Sequence, residues 1–183
     1  MTTPHGHFCG EVTSAMQKSI RRGEERDALY FAAELELAGY GNYVWKRLRI
    51  IASEDVGLAD PMACVVVRTL FENWVEQRKA DKSVPSGEQR LFIVHAVLYL
   101  ARARKSRLVD HALMAMWEGD RQSREIPDYA LDRHTAAGKR LGRGWPHFFD
   151  VGAHLENRGD VPDPFEEEGR AVRENGNRRR LKT

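Results

Sequence analysis

The stretch Arg49–Pro61, RIIASEDVGLADP, decides how this chain is read. Three carboxylates, Glu54, Asp55 and Asp60, crowd around Gly57 directly after an apolar run. Carboxylates this close either hold a divalent cation or mark where one helix ends and the next begins. The helix-end reading explains each residue locally. Gly57 suits a turn with positive φ, and Asp60-Pro61 is a good pair for the cap and first position of a new helix. Glu54 and Asp55, in a last turn, oppose the helix dipole and need cationic partners, for which Arg47, Arg49 and Arg68 are the candidates. The cation reading would make Glu54, Asp55 and Asp60 the ligands of a metal-dependent nuclease.

Helix punctuation recurs on both sides of this stretch. EVTSAMQKSIRRG ends on basic residues and Gly23, and EERDALYFAAELELAG runs to Gly39. In YVWKRLRIIASED, with Asn42 as cap, Val44, Leu48 and Ile51 share one face while Lys46, Arg47 and Arg49 lie off it. PMACVVVRTLFENWVEQRKA follows, and Cys64 in its apolar run reads as a buried small hydrophobe. GEQRLFIVHAVLYLARAR is apolar almost all round from Leu91 to Ala101, which predicts a central helix with His95 in the core. With RLVDHALMAMWEG, these segments predict an all-α, compact domain of about six to eight helices. The expected layout is a flexible N-terminus over 1–10, the helical domain over 11–158 and a mobile charged tail over 159–183.

Composition narrows the class. A 42% hydrophobic and 31% charged chain with net charge +2 is a globular protein and not a uniformly cationic one. Two distant cysteines form no disulfide framework, and the N-terminus has neither the basic nor the apolar region of a signal peptide. The longest apolar run, FIVHAVLYLA, is about half of a membrane span, so a cytoplasmic protein without membrane contact is expected. His5, His7 and Cys9 have an H-x-H-x-C spacing but no fourth ligand nearby, so neither a metal nor a cofactor is expected. No nucleophile–base pairing can be argued from spacing.

Charge gathers late in the chain. DYALDRHTAAGKRLGRGWPHFF contains Arg133, Lys139, Arg140 and Arg143. As a helix it would set Arg133 and Arg140 on one face with Ala136 and Ala137, small enough to let a phosphate backbone approach. Gly142, Gly144 and Trp145 would then form a loop offering an indole for stacking. The alternative is a solvated helix face followed by Trp145, Phe148 and Phe149 packed on the core. Arg178, Arg179 and Arg180 at the basic end either add phosphate contacts by counterion release or simply solubilise the terminus.

Lys18-Ser19-Ile20-Arg21, the alanine-rich ALYFAAELE and the run Ser53–Pro61 resemble one family of AAA+ ATPases. This is the replication-associated recombination protein A group, which includes the Werner-helicase-interacting protein; Val56 stands where that group has isoleucine. HAVLYLARARKSRLVDHAL is similar to the group's tyrosine-leucine-alanine segment and its lysine-serine pair, here Lys105-Ser106. The resemblance implies the family's helical oligomerisation domain, akin to a clamp-loader collar. Lys18, Ser19, Arg21, Ser53, Glu54, Asp55, Gly57, Asp60 and Pro61 would be its structural and assembly residues. No G-x-x-x-x-G-K-[ST] loop occurs and no ATPase module fits before Lys18, so ATP hydrolysis is not expected. What is expected is a non-catalytic module of replication and recombination that forms a homo-oligomer such as a tetramer, or joins an AAA+ relative, and binds DNA. The alternatives are an adaptor that ignores DNA and the nuclease above.

Overall fold

A computed structural model of the chain describes residues 2–80 and 87–180, the side chains of 80 and 176–180 excepted. Among these residues all regular structure is helical, and the single β-type pairing is an isolated bridge between Thr2 and Phe8. The all-α expectation therefore holds. The chain divides into two compact units, Met1–Arg121 and Gln122–Thr183, where the sequence reading runs one domain on to 158. Residues 111–130 are exposed throughout.

In the first unit, α1 (Cys9–Arg22) buries Val12, Met16 and Ile20 at four-residue spacing. Gly23 (φ 76°) ends it, donating its N–H to the Ile20 carbonyl while the Glu24 N–H reaches Ser19. α2 (Glu25–Leu35) runs into a wide turn, Glu36–Tyr40, where Gly39 takes φ 86°. α3 (Gly41–Ile51) starts one residue before Asn42 and buries Val44, Trp45, Leu48 and Ile51 completely. A second wide turn, Ala52–Val56, and a 3-10 turn, Gly57–Ala59, lead to α4 (Ala63–Ala80). Trp45, Phe71 and Trp74 pack ring to ring, with centroids 5.7–6.1 Å apart.

α5 (Gly87–Arg102) departs from the expected central helix. Ile93, Ala96, Val97 and Leu100 enter the core, but Leu91, Val94 and His95 stand in solvent. Cys64 is likewise exposed, its Sγ 3.4 Å from Ser53 Oγ. α6 (Leu108–Leu113), continued by the turn Met114–Glu118, completes the unit. Residues read as a flexible N-terminus are docked on α2. Glu34, 2% exposed, accepts from Thr3 Oγ1 (2.5 Å) and the His5 N–H (3.3 Å), and lies 2.7 Å from His5 Nδ1. The Thr3 hydroxyl first, and His5 after it, hold the Glu34 carboxyl below the usual carboxylate range.

The second unit is built on turns. The predicted helix over YALDRHTAAGKRL is broken: Asp128–Ala130 forms a 3-10 turn and α7 spans only Ala136–Arg140. Asp132 ends the pattern, accepting from the His134 N–H at 2.9 Å and pairing with its ring at 2.8 Å. Thr135 then caps α7 through the Gly138 N–H. α8 (Trp145–His147) passes into the turn Phe148–Gly152. Within the stretch expected to be a mobile tail, α9 (Glu166–Arg180) is helical. Acidic residues fill its first turn and arginines lie downstream, as the helix dipole favours. Arg158–Glu166 (2.7 Å) and Arg170–Asp150 (2.5 Å) tie it to the preceding turns.

Candidate functional site

The opening carboxylates sit in a charge node inside the first unit. Asp55 is 0% exposed, and its side chain accepts from Arg21 Nε at 2.5 Å and Gln17 Nε2 at 3.2 Å. The same guanidinium reaches Glu54 at 3.2 Å, and Arg107 lies 3.9 Å from Glu54 on its other side. The Asp55 carbonyl takes the Ser106 N–H at 2.9 Å. The partners are thus Arg21 and Arg107, and not Arg47, Arg49 or Arg68. Arg47 is turned to Gln17, Arg49 lies over the Phe71 ring at 4.6 Å, and Arg68 pairs with Glu72. Burial pushes the Lys105 ammonium's pKa down, with the Asp55 charge opposing; Lys105 donates to the Ala101 and Ala103 carbonyls.

Gly57 takes φ 51° and ψ −129°, and a Cβ there would lie 3.2 Å from Val109 Cγ2. Asp60 accepts from the Met62 N–H at 3.1 Å and from the Tyr99 hydroxyl at 2.7 Å. Pro61 follows in a turn, and α4 begins two residues later than expected. Ser19 is buried, Lys18 donates to Ser14, and Ser53 is exposed beside Cys64. The segments around Arg21, Asp55, Asp60, Tyr99 and Ser106 therefore meet through hydrogen bonds. They hold the unit together, with the carboxylates turned to guanidinium, amide and phenol groups. Among the described residues no cluster of three or more His, Cys, Asp or Glu has a metal-holding arrangement. His5 of the H-x-H-x-C spacing is turned to Glu34.

The Asp60 hydrogen bond, with burial and the Asp60 charge adding to it, pushes the Tyr99 phenol up to about 12. A raised pKa contributes stability that is complete below about pH 10 and fades as pH rises through the folded value. Tyr99→Phe removes that term. An ultraviolet ionisation titration should lose its highest-pH phase, and stability at neutral pH should fall by about 1 kcal/mol.

Two surfaces remain. On α5, Leu91 (64% exposed), Val94 (38% exposed), His95 and Leu98 form a stripe at i, i+3, i+4, i+7. A hollow of about 670 Å³ beside it is lined by these residues with Asp60, Tyr99 and Arg102. Sequence reasoning missed this stripe, although the all-round apolar pattern was its signal. Beyond it, Leu108, Leu113, Met116 and Trp117 are also exposed.

In the second unit the four predicted cations divide. Arg143 donates to the Asp128 and Leu131 carbonyls at 2.8 and 2.7 Å and pairs with the Asp128 carboxylate. Arg133 lies 3.6 Å from the centroid of Trp145, whose indole also packs on Phe148 and Phe149. These two arginines thus make contacts within the unit, and the indole packs on its own neighbours. Lys139 and Arg140 are exposed and have no ion-pair partner among the described residues. The side chains of Arg178, Arg179 and Arg180 lie outside the described residues.

Comparison with known proteins agrees with this architecture. The family described as MgsA AAA+ ATPase C terminal matches residues 23–174. Replication-associated recombination protein A of Bacillus subtilis is 32% identical over 163 residues, covering 85% of this chain and 36% of the relative. The protein of that name from Escherichia coli K12 is 36% identical over 140 residues, 73% of this chain and 29% of the relative. That of Haemophilus influenzae is 34% identical over the same length and shares. The chain thus spans about a third of the length of these relatives.

Proposed function

Because the chain belongs to the MgsA AAA+ ATPase C-terminal family, we propose that it serves replication-associated recombination as a cytoplasmic assembly and DNA-binding module without catalysis of its own. The outer face of α5 carries this reading. Leu91 and Val94 stand in water with Leu98 half-buried beside them, although their helix already packs an inner face of Ile93, Ala96, Val97 and Leu100. Contiguous apolar surface of this kind marks a contact with another protein. The occupant is a second copy, within a homo-oligomer such as a tetramer, or the corresponding domain of an AAA+ ATPase relative. Light scattering of the intact chain should give a mass above the 20.9 kDa monomer. A monomer at every accessible concentration would refute self-assembly.

DNA contact rests on Lys139 and Arg140, which are exposed on α7 and have no ion-pair partner among the described residues. Phosphate contacts release counterions, so binding should fall steeply with salt. Replacing both residues by alanine should weaken binding to all DNA forms alike and lower the slope of log affinity against log salt by roughly two. Fluorescence anisotropy across a salt series measures this. An unchanged slope would move the contact away from α7, and no binding by the unaltered chain would favour the adaptor reading.

A further inference from the structure

The α5 stripe has a feature that selects its occupant. Its members run Leu91, Val94, His95, Leu98, so the spacing outward from the middle is the same in both directions. Set antiparallel to a copy of itself, such a stripe places Leu91 opposite Leu98 and Val94 opposite His95, and does so twice. An isologous two-fold contact requires this self-complementarity. A parallel pairing would oppose each residue to itself and align both helix dipoles unfavourably.

The flanks fit the same register. Glu88, in the first turn of α5, has only the Gln77 amide as partner and no cation among the described residues. Arg102 ends the helix on the same side, bound to Glu25 at 2.8 and 3.0 Å with its side chain still 68% exposed. Antiparallel packing brings Arg102 of each copy to Glu88 of the other. Charge complementarity of this kind fixes register at an interface. The hollow along the stripe gives the opposing leucines a place to enter, as ridges pack into grooves.

We infer that two copies of this chain pack antiparallel through α5, with Leu91 of each against Leu98 of the other, Val94 and His95 at the dyad, and Arg102–Glu88 pairs at both ends. This rests on the self-assembly proposed above and names its surface.

Disulfide trapping tests the register. Both free cysteines, Cys9 and Cys64, are first replaced by alanine and serine. Leu91→Cys and Leu98→Cys are then introduced separately, with Arg26→Cys on exposed α2 surface as control. Mixed Leu91→Cys and Leu98→Cys chains, mildly oxidised, should give several-fold more linked dimer than either alone or than the control. Disulfides form only where Cβ atoms approach within about 4.5 Å, so the pattern reads geometry. In parallel, Leu91→Glu should at least halve the scattering mass, a tetramer falling to a dimer or a dimer to the monomer, with unchanged circular dichroism. Self-linking of Leu91→Cys above the mixture would overturn the antiparallel register. An oligomer that survives Leu91→Glu, with no linking above control, would remove α5 from the contact and leave assembly standing. A monomeric unaltered chain would remove assembly itself.

Discussion

Arg21→Met is expected to cost the first unit about 3–5 kcal/mol, because it strands a buried carboxylate. Asp55 is 0% exposed and, among the described residues, keeps the Gln17 amide at 3.2 Å as its side-chain hydrogen-bond donor once the guanidinium at 2.5 Å is gone. Glu54 loses its nearer cation in the same step, since Arg107 stands 3.9 Å away. Urea denaturation measures the change, and the melting temperature should drop by on the order of 10 °C. Adding Asp55→Asn to Arg21→Met should restore part of the loss, because the uncompensated charge is then absent. A strictly additive double variant would show that the two groups do not act on each other. If these carboxylates instead served metal chemistry, Arg21→Met would leave stability nearly untouched.

Gly138→Ala is expected to dismantle the second unit while sparing the first. A Cβ at Gly138 would lie 1.7 Å from the Asp132 carbonyl oxygen and 2.7 Å from that of Leu131. No side-chain rotation relieves a clash with backbone, so the turn before α7 must move. That movement removes the Thr135 cap and the Thr135 Oγ1–Asp132 bond at 3.0 Å. It also shifts the Leu131 carbonyl on which Arg143 is seated. The combined cost should be about 3 kcal/mol or more, large for a unit held mainly by one aromatic cluster. Amide spectra should show loss of order in residues 122–160 and native signals for 9–80. An intact α7 in the variant would contradict this packing. DNA binding should weaken with it, since Lys139 and Arg140 depend on α7 for their placement.

Much of the first unit was legible because its signals are local. Gly23 ends α1 through its own positive φ, Val44, Leu48 and Ile51 share a face by period alone, and Gly57 marks a turn. What stayed hidden depends on distance through the fold. Nothing in the spacing says that Arg21 reaches Asp55 across 34 positions, and proximity in sequence points to nearer arginines instead. The outer face of α5 was illegible for another reason. An all-round apolar helix reads the same whether its second face packs within the chain or against another. In the second unit, Asp132 offers its own hydrogen bonds to the backbone, and that local competition breaks the helix that periodicity predicts. Arg143 looked like a free cation because sequence does not reveal the two carbonyls it holds. Low hydrophobicity suggested a tail, whereas charge order along Glu166–Arg180 supports a helix.

The nuclease reading loses its footing at the node. Asp60 is bonded to Tyr99 and the Met62 amide, the Glu54–Asp55 pair faces arginine, and among the described residues no three such groups have a metal-holding arrangement. These residues tie α1, the turn after α3 and the start of α6 together.

The most direct test of a module that binds DNA without cutting it uses the unaltered chain with labelled single-stranded, duplex and forked DNA. Anisotropy is followed at low and near-physiological salt with Mg²⁺ present, and the DNA is then run on a gel. Binding that weakens steeply with salt and leaves every strand full length is the predicted result. Strand cleavage that depends on Mg²⁺, or no binding to any form even at low salt, would contradict it.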